Sequence, residues 1–176
     1  MADFWVFGYG SLLWRPGFPY VESRVARLIG AHRALCVYSW VHRGTPDRPG
    51  LVLGLDRGGA CRGLAFRVAP ADREQVVAYL REREQVTAVY LERRREVRFA
   101  DNTSAMALTY LVDRAHAQYA GKLDEATQFR IVEAAAGMSG ANRDYVLNTA
   151  RHLRELGMPD RLLDRLAARL EAAIAG

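Results

Sequence analysis

Cysteine is scarce in this sequence of 176 residues, since Cys36 and Cys61 are its only two. Two isolated cysteines build neither a disulfide framework nor a four-ligand metal site, so we expect both to be buried thiols. The four histidines are scattered, without an HExxH motif or another paired spacing, and give metal ligation no support. The sequence therefore predicts a protein without a bound metal.

Long apolar runs are also absent, because no stretch approaches the roughly 18 residues needed to span a bilayer. Asp3 stands where a secretory signal would carry a basic flank, and the apolar stretch of residues 4–7 is too short for such a signal. We therefore expect a cytoplasmic protein with no membrane partner. Half of the residues are hydrophobic and 26% are charged, which is typical of a globular chain with one core. The sequence predicts a single domain over residues 1–176.

Lysine is nearly missing: Lys122 is the only one, so 24 of the 25 basic residues are arginines. The formal net charge of +5 could attract nucleic acid or anionic metabolites. Many arginines, however, lie near glutamates at helical spacing, as in residues 81–84 and 151–155, which is typical of a solvated, ion-paired helix face. We therefore expect no nucleic-acid partner and keep a basic nucleic-acid-binding module as the alternative from another class. The sequence leaves the oligomeric state open.

Short strand-like runs dominate the first two thirds of the chain. Residues 4–7 are aromatic or β-branched and end at Gly8, which is typical of a buried strand that enters a tight turn. Further strands are predicted at residues 25–29, 34–40, 51–55, 61–68, 90–99 and 106–112. Loops or turns are predicted at residues 43–50, 56–59 and 100–102.

Helices are predicted in two places. Pro70 begins a helix that runs to about Gln85, with acidic residues in its first turn, where they suit the helix dipole. From about residue 124 to residue 176 the chain is helical, interrupted at residues 137–140 and 157–160. This order of elements predicts an α+β fold, in which a mixed or antiparallel sheet closes into a small barrel with flanking helices.

The turn after the first strand, residues 8–12 (GYGSL), has two glycines within three positions, so other groups can approach its backbone closely. It begins like a dinucleotide-binding fingerprint, but Leu13 stands in place of the third glycine. Leu13 also excludes a nucleophile elbow at Ser11. Ser11 with His32, or Cys36 with a histidine, could form a nucleophile and base, but any chain with four histidines offers such pairs. The turn is either an ordinary tight turn or part of a site.

One glutamate of the predicted helix is placed unusually. At about 100° per residue, the helix has an apolar stripe formed by Val76, Val77 and Leu80. Glu84 falls on this stripe, whereas Glu82 points to water. Burial of a carboxyl group is costly unless it is hydrogen-bonded or neutral, and it raises the pKa toward the range useful for acid–base catalysis. The alternative is an ion pair between Glu84 and Arg81 or an arginine of residues 93–95.

Several motifs occur together in one order along the chain. They are WVFGYGSLLW at residues 5–14, HRGTP at 42–46 with PG at 49–50, CRGLAFRV at 61–68, RE at 83–84 and SGANRDY at 139–145. In this combination the chain resembles the ChaC family of glutathione-specific γ-glutamylcyclotransferases over nearly its whole length. The resemblance implies the γ-glutamylcyclotransferase-like fold and a lyase that cleaves glutathione into 5-oxoproline and cysteinylglycine.

The resemblance also implies which residues form the site. The family's catalytic glutamate falls on Glu84, which the helix phase also selects, and Tyr145 resembles a tyrosine that lines the family's pocket. The substrate-binding turn falls on Val6, Phe7, Gly8, Tyr9, Gly10 and Ser11, with Leu12 next to it. The chain departs from the family at residues 85–89, where relatives often have a glycine-containing step, and this departure concerns the pocket wall.

The implied reaction needs no cofactor, because the substrate's own α-amino group attacks the γ-carbonyl. Intramolecularity already removes much of the entropic barrier, with effective molarities of ~10⁵ M or more in favourable cases. The hypothesis is that Glu84 takes a proton from the α-ammonium and delivers it to the leaving nitrogen. The N–H groups of Gly10 to Leu12 would hold the glutamyl carboxylate or the developing oxyanion, and Arg43 or another arginine could attract the tripeptide.

Two alternatives stay close to this reading. One is a cyclotransferase that prefers other γ-glutamyl amines or dipeptides. The other is an inactive relative that only binds such compounds, which the presence of Glu84 disfavours.

Overall fold

The structure, a computed structural model, describes residues 3–84 and 88–176. The chain forms two compact units: one consists of Met1–Ala34 and Gly54–Asp113, and the other of Leu35–Leu53 and Arg114–Gly176. The predicted helix end at Gln85, and most of the segment that departs from the family, lie outside the described residues. The single domain over residues 1–176 stays a prediction.

Five strands form a closed barrel in the order β1-β3-β2-β4-β5. They are β1 (Phe4–Gly8), β2 (Glu22–Ser39), β3 (Gly50–Val68), β4 (Tyr90–Phe99) and β5 (Ser104–Val112). Strand β1 is antiparallel to β3, with Gly8 opposite Leu64, and parallel to β5, with Val6 opposite Leu108. The barrel is therefore mixed, which confirms the predicted fold class.

Two strands are longer than the sequence predicts. The four predicted strands at residues 25–29, 34–40, 51–55 and 61–68 merge into β2 and β3. The predicted turn at residues 56–59 is wrong, because these residues lie inside β3, where Gly58 and Gly59 have φ values of 98° and 70°. Glycine readily adopts such positive φ values and often marks a bulge within a strand. Local composition alone does not distinguish two such glycines inside a continuous strand from a hairpin turn.

Helix α1 (Arg73–Glu84) follows a short 3-10 turn at Pro70–Asp72. Its apolar stripe is buried as predicted, with Val76 and Leu80 fully inaccessible and Val77 partly so. These side chains pack into the core of the first unit with Phe4, Val6, Leu12, Phe18, Phe66, Val68, Leu108 and Tyr110. Because Glu84 lies four residues after Leu80, the buried face continues to the last residue of α1.

The second unit contains the helices α2 (Glu125–Ala134), α3 (Asn142–Glu155) and α4 (Arg161–Ala175). Aspartates cap the first turns of two of them. The Asp124 side chain accepts a hydrogen bond from the Thr127 N–H of α2, and the Asp160 side chain accepts from the N–H groups of Leu162 and Leu163 in α4. The predicted interruption at residues 137–140 is a small hairpin of β6 (Ala136–Gly137) and β7 (Gly140–Ala141). None of the described helices is long and apolar enough to cross a membrane.

Candidate active site

Glu84 is the last residue of α1, and its side chain is only 17% exposed. Glu82, two residues earlier, is exposed. This is the orientation that the helix phase predicts. Burial raises the pKa of the Glu84 carboxyl above its ordinary value, and the Arg83 cation acts against this shift. A carboxyl with a raised pKa exchanges protons closer to neutral pH than an ordinary glutamate does.

The ion pairs around Glu84 differ from the ones considered from the sequence. Arg81 does not bind Glu84; its guanidinium donates to both carboxylate oxygens of Glu92, at 2.9 and 3.0 Å. The cation beside Glu84 is Arg83, whose Nε lies 3.8 Å from Oε1. That distance is too long for a hydrogen bond, so the interaction is one of charge alone. Arg81, one of the alternative partners considered for Glu84, is instead paired with Glu92 on the neighbouring strand β4.

Arg83 links the end of α1 to the glycine turn. Its Nη2 donates to Ser11 Oγ at 2.8 Å, and its Nη1 donates to the carbonyl oxygens of residues 15 and 16 at 2.7 and 3.2 Å. Ser11 begins the 3-10 turn Ser11–Leu13 that follows β1. Glu84 and the turn thus lie on either side of one guanidinium. In the sequence, Arg83 stands out only as half of the RE motif, which does not indicate this contact.

The glycine turn is closely packed on its protein side. A Cβ on Gly8 would lie 2.9 Å from Leu12 Cβ, so this turn can fold only around a glycine. A Cβ on Gly63, in β3, would lie 2.2 Å from the Gly8 carbonyl oxygen. Of the predicted substrate-binding residues 6–12, Ser11 is exposed and the other six are buried. The side chains of Val6 and Leu12 belong to the core, so Ser11 is the accessible side chain of this set.

The backbone of the turn presents N–H groups. The Leu13 N–H donates to Gly10 O at 2.9 Å, and the Arg15 N–H donates to Ser11 O at 2.8 Å. Within the described part of the chain, the N–H groups of Ser11 and Leu12 donate to no backbone carbonyl, as is usual for the first residues of a helical turn. These two donors are therefore available for an anionic acceptor.

Tyr110 of β5 is a second titratable group of this region. Burial and the negative charges of Glu92 and Glu84 raise the pKa of its phenol, which stays neutral at physiological pH. Its hydroxyl donates to Glu92 Oε2 at 3.2 Å, and the hydrogen bond from Arg81 lowers the pKa of Glu92. The two carboxyl groups are therefore shifted in opposite directions, and Glu84 is the one with raised proton affinity. Opposed shifts of this kind are typical of an acid–base site.

Tyr145 and Arg43 belong to the second unit. The Tyr145 hydroxyl accepts a hydrogen bond from the Leu53 N–H at 2.9 Å, and the Arg43 guanidinium lies 5.7 Å from the centre of the Tyr145 ring. Arg43 also donates to the Ala141 carbonyl at 3.2 Å. Both side chains that the sequence singled out are thus fixed in place by neighbouring backbone.

Asn142, the first residue of α3, joins this helix to strand β3. It is fully buried, and its amide both accepts from the Leu51 N–H and donates to the Leu51 carbonyl, each at 2.8 Å. A Cβ on Gly50 would lie 2.8 Å from Asn142 Oδ1, which explains the glycine of the PG motif. The motif at residues 139–145 therefore contains a structural asparagine, a role that the sequence did not reveal.

Metal ligands do not cluster in the described residues, because no three His, Cys, Asp or Glu side chains there lie close enough to hold an ion. Cys36 and Cys61 are both buried, as predicted.

Comparison with known proteins places the chain in a family. A family model described as ChaC-like protein matches residues 4–173. The chain is 33% identical, over 97% of its length, to the glutathione-specific gamma-glutamylcyclotransferase of Escherichia coli (strain K12), of which it covers 74%. It is 34% identical, over 96% of its length, to glutathione-specific gamma-glutamylcyclotransferase 1 of Homo sapiens, of which it covers 77%.

A solved structure agrees with the barrel. The crystal structure of a yeast gamma-glutamyl cyclotransferase specific to glutathione matches with a TM-score of 0.85 at 20% identity, over 98% of this chain and 97% of that one. At this identity the likeness concerns the fold alone. The family model and the relatives extend over nearly the whole sequence, and the chain therefore belongs to the ChaC-like protein family.

Proposed function

We propose that this protein is a glutathione-specific γ-glutamylcyclotransferase, a lyase that releases 5-oxoproline and cysteinylglycine. The observation that carries the proposal is the similarity, over nearly the whole chain, to relatives of that name. The geometry supports it, because a carboxyl group with a raised pKa and a turn with available N–H groups lie on either side of Arg83. The predicted cytoplasmic location and the predicted lack of a nucleic-acid partner stay predictions.

The proposed chemistry assigns proton transfer to Glu84. The α-amino nitrogen of the substrate attacks the γ-carbonyl carbon, the five-membered lactam closes, and the bond to the cysteinyl nitrogen breaks. Glu84 takes one proton from the α-ammonium group, which makes the amine nucleophilic, and passes this proton to solvent. As the lactam closes, the attacking nitrogen loses a second proton, which Glu84 delivers to the departing cysteinyl nitrogen. A raised pKa suits both steps, since the same group must accept and then donate near the working pH.

The proposed substrate contacts come from the glycine turn. The N–H groups of Gly10, Ser11 and Leu12 hold the glutamyl carboxylate or the oxyanion that develops during attack. Val6, Phe7, Gly8 and Tyr9 complete the substrate-binding turn, and a pocket role of Tyr145 stays a prediction of the family resemblance. Because the side chains of Val6 and Phe7 are buried, their part in binding is to fix the position of the backbone.

The test is an assay of the purified protein on reduced glutathione and, in parallel, on γ-glutamyl-alanine, without added metal or nucleotide. We expect 5-oxoproline and cysteinylglycine in equal amounts from glutathione, and a lower kcat/KM for the dipeptide. Faster turnover of γ-glutamyl-alanine would reassign the enzyme to other γ-glutamyl compounds. Release of 5-oxoproline from neither substrate would overturn the proposal.

A further inference from the structure

The Arg83 side chain is held by several hydrogen bonds. Four hydrogen bonds are given by its two terminal nitrogens: one to Ser11 Oγ, two to the carbonyls of residues 15 and 16, and one to Tyr79 Oη at 3.0 Å. Its side chain is only 19% exposed. A planar guanidinium with a fixed fork of donors can bind several acceptors at once. Arg83 therefore ties α1 both to the glycine turn and to the loop after it.

The loop that Arg83 binds is itself closely fitted to α1. Gly17 has a φ of 74°, and a Cβ there would lie 2.1 Å from the Tyr79 hydroxyl oxygen. The positive φ and the nearby hydroxyl both favour glycine at this point, and the Tyr79 hydroxyl that the loop meets also accepts a hydrogen bond from Arg83. The guanidinium is thus held by a framework and is not a freely moving surface charge.

We propose that Arg83 is a positioning residue of the reaction, which holds Ser11 and the Glu84 carboxyl at a fixed separation so that both act on one substrate. This inference rests on the proposed function. Glu84 is the covalent neighbour of Arg83 in α1, and a 2.8 Å hydrogen bond joins Arg83 to Ser11, so these two links set the separation. Loss of the hydrogen bond would let the turn move relative to the carboxyl.

Arg83 also acts on Glu84 by charge, and the other groups of this region act differently. From β5, the phenol of Tyr110 faces the charges of both Glu84 and Glu92. From β4, Glu92 is neutralised by Arg81. Arg83 is the cation that opposes the effect of burial on Glu84, so its removal should raise the pKa of the Glu84 carboxyl further. Substitution of Arg83 can therefore separate its effect on the positions of Ser11 and Glu84 from the effect of its charge on the pKa of Glu84.

The test compares Arg83→Gln, Arg83→Lys and Ser11→Ala by the pH dependence of kcat/KM. Arg83→Gln should lower the plateau by about 10²-fold, the scale of a misplaced catalytic group, and move the acidic limb to higher pH. Arg83→Lys keeps the positive charge but loses the planar fork of donors. The acidic limb of its kcat/KM profile should therefore stay near that of the wild type, while the plateau of the profile falls. Ser11→Ala should also lower the plateau without moving the limb.

A measurement independent of turnover is the ¹³C NMR titration of the Glu84 carboxyl, assigned by its loss in Glu84→Gln. Its midpoint should rise in Arg83→Gln. The matched control is Arg81→Gln, on the same helix but paired to Glu92, which should leave the Glu84 midpoint in place. Circular dichroism checks that each variant folds, and Ser11→Ala and Arg83→Lys keep the test open should Arg83→Gln fail to fold.

The outcomes separate this inference from the proposed function. A wild type without 5-oxoproline release would overturn the proposed function. An active wild type whose Arg83 variants keep the wild-type plateau would overturn the positioning role alone. A plateau loss in Arg83→Gln with an unmoved limb and an unmoved Glu84 titration would also overturn it, because removal of a cation that lies beside the Glu84 carboxyl must change the pKa of that carboxyl.

Discussion

The Arg83 guanidinium lies 3.8 Å from the Glu84 carboxylate and gives its short hydrogen bonds to other groups. The charge of Arg83 therefore acts on Glu84 without occupying the carboxylate oxygens by hydrogen bonding. Burial acts in the opposite direction and is the larger influence, so the pKa of Glu84 is raised. A carboxyl group in this setting can exchange a proton with a bound amine.

Replacement of Glu84 by Gln should abolish most turnover. The amide keeps the shape of the side chain but can neither accept nor return the proton, and the expected loss of kcat is about 10²-fold or more. The matched control is Glu82→Gln, a residue on the same helix whose side chain is exposed, and its activity should stay within about twofold of the wild type. Near-normal glutathione cleavage by Glu84→Gln would refute the assignment.

The pH dependence of kcat/KM should show the raised pKa of Glu84. As the base in the first step, Glu84 must be ionised, so activity should fall as the pH falls through its pKa. Because burial raises that pKa above the ordinary 4.5, the acidic limb should have its midpoint above this value. The profile is measured at constant ionic strength, since the Arg83 charge is subject to screening. A midpoint at or below 4.5 would contradict the raised pKa.

The same carboxyl should reduce the stability of the folded protein at neutral pH. A folded-state pKa above the unfolded value means that the contribution of Glu84 to stability is fully present below the unfolded pKa and is lost as the pH rises through the folded one. Glu84→Gln should therefore raise the free energy of unfolding at neutral pH, by about 0.5–1 kcal/mol on the scale of common stabilising substitutions. Urea unfolding at neutral and acidic pH measures this, and the gain should vanish in acid. An equal gain in the free energy of unfolding at both pH values would show that the charge of Glu84 is not the cause of the gain.

Local pattern was enough to predict part of this site. The apolar stripe of α1 sets the direction of every side chain on the helix, so the inward position of Glu84 could be read from a 3.6-residue period. The turn at residues 8–12 follows from its two glycines after a buried strand. Both features depend on neighbours within one element, which a sequence displays directly.

The rest of the site depends on contacts that the sequence does not display. Arg83 and Ser11 are 72 positions apart, and nothing in either local pattern indicates that they meet. Arg81 of α1 binds Glu92 of β4, so this arginine, considered from the sequence as an alternative partner of Glu84, is paired with another carboxylate. At Gly58 the sequence does not distinguish a position inside a continuous strand from a turn, because glycine is typical of a positive φ in either setting.

Asn142→Ala should destabilise the second unit. The substitution leaves the N–H and the carbonyl of Leu51 without the amide that now binds both. An unsatisfied buried polar group costs about 1–3 kcal/mol, so we expect a loss of about 2–4 kcal/mol in urea unfolding. The control is Asn148→Ala on the same helix, where the side chain is exposed and the change should stay within about 0.5 kcal/mol. Equal losses for the two variants would contradict a special role of Asn142.

Gly63→Ala should damage both stability and the glycine turn. The added methyl group would lie 2.2 Å from the Gly8 carbonyl oxygen and 2.7 Å from the Phe7 ring, so β1 must move away from β3. Overpacking of this kind costs about 1–3 kcal/mol, and displacement of Gly8 carries the turn with it. The control is Gly58→Ala in the same strand, where nothing lies within 4 Å but φ is 98°; backbone strain there costs about 1–2 kcal/mol. Urea unfolding and turnover per folded molecule separate the two effects, since Gly63→Ala should lose both while Gly58→Ala should lose stability alone. Full turnover by folded Gly63→Ala would show that the turn tolerates a displacement of β1.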